Sequence, residues 1–340
     1  MRRFRAFRAV GIVLGTVVLT GFGAACLPDE PYERFQLLDN TIQRDARWIY
    51  ERTTFDAAPI DVAFLGPSRI GAGVDAPLLQ KDLAAIGVQA NVVNLSTPEE
   101  GRNLNLVFAE ELFASKHPKL VVIGVIEKPG RFGHPAYKYL APAAMVANPG
   151  YVGNLSYASD LMYLPFRQMK LFAARLFPSL SGFDETFDPS RYAGSNPPFA
   201  SVLHLPDGRT IDRTTVVPAE SLENAQAKRA VAEHPPILPR ALADVEFGGD
   251  RHYISAVAEL AKQHGARVAF LFLPYFHGPR NIQEQALYAS FGPIIDAGFL
   301  ADHAPWFSDV AHLNRDGAAA LTDWLAPYIK QELEGTTPAS

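Results

Sequence analysis

The chain predicts an α/β domain with a doubly wound parallel sheet, and three observations lead there. From residue 61 onward, short apolar runs alternate with longer stretches of helical spacing. The run Leu120–Ile126 is apolar at every position, as parallel strands covered on both faces are. Cap and stop residues sit where the helical stretches begin and end.

The elements follow in order. Asp61-Val62-Ala63-Phe64-Leu65 is the first strand. Asp75 caps a helix that carries Pro77 in its first turn, runs through Leu78, Leu79, Leu83 and Ile86, and stops at Gly87. Val92-Val93-Asn94-Leu95 is the second strand, followed by a helix through Leu104, Val107, Phe108, Leu112 and Phe113. Leu120–Ile126 is the third strand. A helix over about 253–264 leads to a fourth, Arg267–Leu273, and the last helix spans about 314–333. The two pieces of this domain are therefore residues 61–127 and 251–333. Residues 128–250, rich in proline, glycine and aromatics, break the rhythm and read as an insertion after the third strand. Asp207-Gly208 within it reads as a hairpin turn. Ligands of open α/β sheets sit at the carboxyl edge, so this insertion either shapes a substrate pocket or lid, or simply packs there. Residues 27–60 read as a helical stalk, with apolar spacing from Phe35 to Tyr50, and 334–340 as a disordered tail.

The chain has 340 residues, 48% hydrophobic and 20% charged, which is ample for a core. Its net charge is −5, and the first 25 residues hold four arginines and no acid, leaving −9 beyond them. A nucleic-acid partner is excluded on that balance, because phosphate neutralisation needs a basic surface. Arg2, Arg3, Arg5 and Arg8 precede an uncharged stretch, Ala9–Cys26, so residues 1–26 are a signal anchor or a signal peptide, and the rest is exported. Retention, cleavage near Gly23-Ala24-Ala25 and lipidation at Cys26 all remain open. Cys26 is the single cysteine, so no intramolecular disulfide forms.

The chemistry-bearing residues lie at the two ends of the sheet domain. Ser68 follows the first strand through a tight Gly66-Pro67 turn, which brings its hydroxyl to the carboxyl edge of the sheet. A serine there is either a capping residue or a nucleophile, and a nucleophile needs a base. Asp309-Val310-Ala311-His312 stands before the last helix. Its spacing lets the imidazole serve as base and the carboxylate orient it, while Asn314 already suits the helix cap. No His-Glu-x-x-His, cysteine cluster or phosphate loop is present, so neither a metal nor a cofactor has motif support.

A strand, a Gly-x-Ser turn and a distal Asp-x-x-His together resemble the SGNH/GDSL hydrolase superfamily. The resemblance implies a three-layer, flavodoxin-like parallel sheet, with Ser68 as nucleophile, His312 as base and Asp309 as its acid. In the second block Ser96 of Val93-Asn94-Leu95-Ser96 takes the place of the oxyanion glycine, with Gly101 five residues on. The third block, Gly124-Val125-Ile126-Glu127-Lys128, lacks the expected asparagine, and Lys128 is the candidate substitute donor. Arg69 either meets an anionic substrate or pairs with Glu99 or Glu100. His277, ending the fourth strand, is a candidate substrate contact or an exposed loop residue, and Arg131 and His134 are either pocket-lining or solvated. The N-terminal segment with these blocks is similar to exported, membrane-anchored SGNH-like proteins of alginate acetylation and teichoic-acid D-alanylation. That implies a periplasmic esterase or O-acyltransferase tethered to the bacterial inner membrane. Its substrate would be a carbohydrate or cell-envelope polymer, and its partner a membrane-bound O-acyltransferase. The alternative is an inactive scaffold of the same fold.

Overall fold

The computed structural model describes residues 2–148, 154–232 and 237–335. In chain order the elements begin with helices α1 (Arg2–Ala25), α2 (Pro31–Phe35) and α3 (Asp45–Thr54). The sheet domain opens with β1 (Val62–Leu65), α4 (Ser68–Gly73), α5 (Ala76–Ala85), β2 (Val92–Asn94), α6 (Arg102–Ser115) and β3 (Leu120–Gly124). Next come α7 (Tyr137–Leu140), α8 (Ala143–Val146), α9 (Tyr157–Leu176), α10 (Pro178–Ser181), β4 (Val202–His204), β5 (Thr210–Asp212) and α11 (Ala219–Ala232). The chain closes with α12 (Ala243–Gln263), β6 (Arg267–Phe272), α13 (Gln285–Phe291), β7 (Ile294–Asp296) and α14 (Arg315–Glu334).

Five strands form one sheet in the order β2-β1-β3-β6-β7, every neighbouring pair parallel. Successive side chains of a strand point to opposite faces. Ala63, Leu65, Val121, Ile123, Phe270 and Phe272 accordingly pack on one side, with residues of α3, α6, α12 and α13. Val62, Phe64, Leu120, Val122, Ala269 and Leu271 pack on the other, with α4, α5 and α14. The result is a three-layer mixed α/β domain. Asp75 caps α5 by accepting from the Leu78 N–H at 2.9 Å, and Asn314 caps α14 by accepting from the Gly317 N–H at 2.9 Å.

Several expectations are corrected. The sheet has a fifth strand, β7, three residues long and preceded by Gly292-Pro293, too short to show a period. The helix expected from Tyr253 begins at Ala243, so the boundary at 250 falls inside α12; Gly248-Gly249 hides the continuation, since glycine disfavours helix interiors. Residues 27–60 are helical but are no free stalk: Tyr32, Phe35, Leu38, Ile49 and Tyr50 belong to the core on the α6 face. Residues 128–250 also join the body, through Tyr137, Leu140, Val146 and Leu164 on one side and Leu222 on the other. The hairpin is present, β4 pairing antiparallel with β5 around Gly208 at φ +86°. Of the tail, 336–340 lie outside the described residues. Among the described residues no helix is long and apolar enough to cross a membrane.

Candidate active site

The sheet order reverses between β1 and β3, and a crevice forms at the carboxyl ends of strands flanking such a switch point. Ser68 sits there because β1 ends in a turn only glycine fits. Gly66 has φ +153°, and a Cβ on it would lie 2.8 Å from Ile70 Cγ1. Pro67 then caps α4 in extended conformation, making Ser68 the first helical residue. The N–H groups of a helix's first turn have no intrahelical partner, so those of Ser68 and Arg69 are suited to an oxyanion.

His312 arrives from the opposite end of the chain. Its loop is pinned by a bridge between buried Phe307 and Leu313, and by the Ser308 N–H donating to the His312 carbonyl at 2.9 Å. His312 Nε2 lies 2.7 Å from Ser68 Oγ. On the other side of the ring, Nδ1 lies 2.8 Å from Asp309 Oδ2 and 2.9 Å from Oδ1. Asp309 Oδ1 also accepts from the N–H groups of Ala311 at 2.7 Å and His312 at 2.9 Å. Partial burial pushes the Asp309 carboxyl up. The hydrogen bond and charge of His312, with the two backbone donors, outweigh it and hold the group below its ordinary range. An anionic carboxylate on Nδ1 fixes the proton there and leaves Nε2 to accept from the serine. The arrangement can therefore withdraw the Ser68 proton and return it to a leaving group.

The remaining candidates take other positions. Arg69 is buried and grips Glu127, with Nη1 to Oε1 at 2.5 Å and Nη2 to Oε2 at 2.8 Å. It also donates to the Leu273 carbonyl at 2.5 Å, reaches Glu100 at 3.5 Å and lies 4.2 Å over the Tyr275 ring. Its principal partner is thus Glu127, not Glu99 or Glu100. Ser96 stands beside α4, its Oγ 2.8 Å from where a Cβ of Gly71 would be, and its N–H donates to Asn94 Oδ1 at 3.2 Å. Gly101 precedes α6 in close contact with the His134 backbone, where a Cβ would sit 2.3 Å from the His134 nitrogen. Lys128 lines a pocket of about 180 Å³ shared with Glu100, Gly101, Arg229, Asp250 and Tyr275. His277 is in an exposed turn at φ +48°, stacked on Phe276 at 4.0 Å. His134, expected near that pocket or in solvent, is buried instead: Nε2 is 2.7 Å from the Pro98 carbonyl and Nδ1 accepts from the Ala136 N–H at 3.0 Å. Arg131 pairs with Glu246.

Three residues escaped sequence reasoning. Tyr275 is sandwiched between Arg69 and Arg229, the latter 3.5 Å from its ring centre, and its hydroxyl donates to Glu100 at 2.9 Å. Arg213, at the end of β5, is buried and in electrostatic contact with Asp309, and its carbonyl accepts from the Arg315 N–H at 2.8 Å. The hairpin of residues 128–250 thereby abuts the acid loop. Nothing in the local sequence signals Arg213 or Arg229. The place of Glu127 directly after the third strand, beside the first, was the available hint for its pairing with Arg69. Among the described residues, no group of three or more His, Cys, Asp or Glu side chains is placed to hold a metal ion.

Fold and site together define an α/β protein with a hydrogen-bonded serine, histidine and aspartate at the carboxyl edge of its sheet. No protein-family model matches the chain, and no curated protein matches it significantly.

Proposed function

We propose that the chain is an exported SGNH-type acyl-ester enzyme, an esterase or an O-acyltransferase acting on a carbohydrate or cell-envelope polymer. The observation that carries this reading is the continuous chain from Ser68 Oγ through His312 to Asp309. Ser68 Oγ attacks the acyl carbon while His312 Nε2 takes its proton. The carbonyl oxygen gains negative charge against the first N–H groups of α4. His312 then gives its proton to the departing alcohol, leaving an acyl group on Ser68. In the second half, water or a sugar hydroxyl attacks that ester, with His312 again as base, and Ser68 is released. Water yields an esterase; a sugar hydroxyl yields a transferase, with a membrane-bound O-acyltransferase as the partner that supplies acyl groups. Export follows from the basic and then apolar N-terminus, which supports a place on the periplasmic side of a bacterial inner membrane.

A second reading rests on one specific observation. Glu127 occupies the region of the third block, and Arg69 engages both of its carboxylate oxygens. An oxyanion donor is worth about 3–4 kcal/mol, so without the asparagine the same fold would serve as a substrate-binding scaffold. Turnover of p-nitrophenyl acetate by wild type and Ser68→Ala, each with and without an oligosaccharide acceptor, separates the readings. Serine-dependent turnover supports the enzyme, and its acceleration by the acceptor with an acetylated product selects the transferase. Equal background rates for both proteins would favour the scaffold.

A further inference from the structure

Helix α9 carries an apolar stripe that faces away from the protein. At 100° per residue, Met162, Phe166, Met169, Ala173 and Leu176 fall on one side. They lie opposite the buried positions Asp160, Leu164, Arg167, Leu171 and Ala174. Met162 is 73% exposed, Phe166 64% and Leu176 58%, and just beyond the helix Phe177 and Leu180 continue the surface. A contiguous apolar surface of this extent on a water-facing helix marks an interaction site.

Two further observations say what covers it. Helix α1 lies against α9, and its end is clamped there. Gln168 donates to the Leu27 carbonyl at 2.7 Å, and Arg175 pairs with Glu30 at 3.3 Å. From Ile12 to Phe22 the exposed side chains of α1 are apolar around its circumference, save Thr16 and Thr20. A stretch of helix this apolar on every side favours a non-aqueous surrounding, and α9 lies directly beside it. One flank of the stripe also has the composition of a bilayer interface. Tyr163 and Lys170 project on that side, and the Lys138 ammonium lies against both the Tyr139 and Tyr163 rings, 5.5 and 5.4 Å from their centres. Aromatic hydroxyls and ammonium groups there fit an anionic headgroup layer, while the acidic residue of the helix, Asp160, is turned inward.

We propose that α9 is a second membrane contact: it lies in the interface of an anionic phospholipid bilayer beside α1, with Met162, Phe166 and Met169 in the hydrocarbon. The carboxyl edge of the sheet is then held at a fixed orientation to the membrane rather than swinging on a single segment. The proposal rests on the reading of α1 as a membrane segment and is independent of the chemistry at Ser68.

The test uses the full chain in phosphatidylethanolamine–phosphatidylglycerol vesicles. Cys26→Ser removes the one native thiol. Phe166→Cys then carries an environment-sensitive nitrobenzoxadiazole label, and Glu223→Cys on α11 carries the same label as a control. Both sites are exposed, so neither substitution disturbs packing, and circular dichroism verifies the fold. Quenching at position 166 by lipids bearing nitroxides on their acyl chains, at least several-fold stronger than at 223, is the expected result. Equal access of aqueous iodide to both labels would overturn the proposal. Quenching at 166 that follows protein density and ignores the nitroxide lipids would also overturn it, and would assign the stripe to a second copy of the chain.

Discussion

His312 Nε2 and Ser68 Oγ, 244 positions apart in the sequence, lie 2.7 Å apart in the structure. Their meeting depends on two separate pieces of local structure, the Gly66-Pro67 turn after β1 and the loop pinned by Phe307 and Leu313 before α14. The two pieces are distant in the chain but share one core, in which Ile70 of α4 packs with Phe307 and Leu313.

Asp309→Asn tests the orienting role. An amide in place of the carboxylate presents the wrong partner to the imidazole, and the expected loss in kcat is on the order of 10⁴-fold. The carboxyl group is held below its ordinary value, so it stays ionised at pH 5 and the acid limb of the wild-type rate profile is not set by it. Folded-state depression of an acid adds stability above the unfolded value of about 3.9, lost as pH falls through the folded one. Kinetics of the variant between pH 5 and 8 check the point, and a loss under tenfold would remove Asp309 from the relay.

Glu127→Gln leaves the Arg69 guanidinium buried without its counter-charge. Breaking one side of a buried pair costs about 3–5 kcal/mol, and the urea midpoint should fall accordingly. Glu100 at 3.5 Å and the Tyr275 ring remain as weaker partners, which places the expectation at the lower end of that range. An unchanged midpoint would show that Arg69 is stabilised mainly by those neighbours.

His134 predicts a pH dependence of stability. Burial pushes its imidazole down to about 4, partly opposed by the Pro98 carbonyl. The unfolded chain binds this proton first as pH falls from about 6.5, so the contribution is fully present above that value and is lost on the way to about 4. The amount is about 3 kcal/mol. Comparing unfolding of wild type and His134→Gln at pH 7 and pH 4 isolates it: the wild type should lose more stability than the variant, and parallel losses would contradict the assignment.

Lys128→Ala asks whether the ammonium substitutes for the absent asparagine. If the oxyanion is held by the Ser68 and Arg69 N–H groups of α4, kcat/KM should change less than tenfold. A loss of 10²–10³-fold, the usual effect of removing an oxyanion donor, would make Lys128 that donor.

The parts that were legible in the sequence are those whose signal is local. β1, β3 and β6 are buried on both faces, so their runs are unbroken; Asp75 and Asn314 stand one residue before the helices they cap; Asp207-Gly208 marks its own turn. The spacing Asp-x-x-His likewise fits one loop, which is why the sequence alone pairs Asp309 with His312. What stayed hidden depends on distant partners. Arg69 meets Glu127 only because β1 and β3 are neighbours, with Leu65 beside Ile123. Phe35, Ile49 and Tyr50 gave a helical period without showing that α6 would receive them, and Arg213 reaches Asp309 through a hairpin whose docking no local pattern encodes.

On the proposed reading, His312 makes Ser68 nucleophilic. Incubation with a fluorophosphonate followed by peptide mass spectrometry tests it most directly. One phosphonate adduct is expected, on Ser68, abolished by Ser68→Ala and slowed on the order of 10³-fold or more by His312→Ala. A folded wild-type protein that gives no adduct at any pH from 6 to 9, or an adduct on another serine, would contradict it.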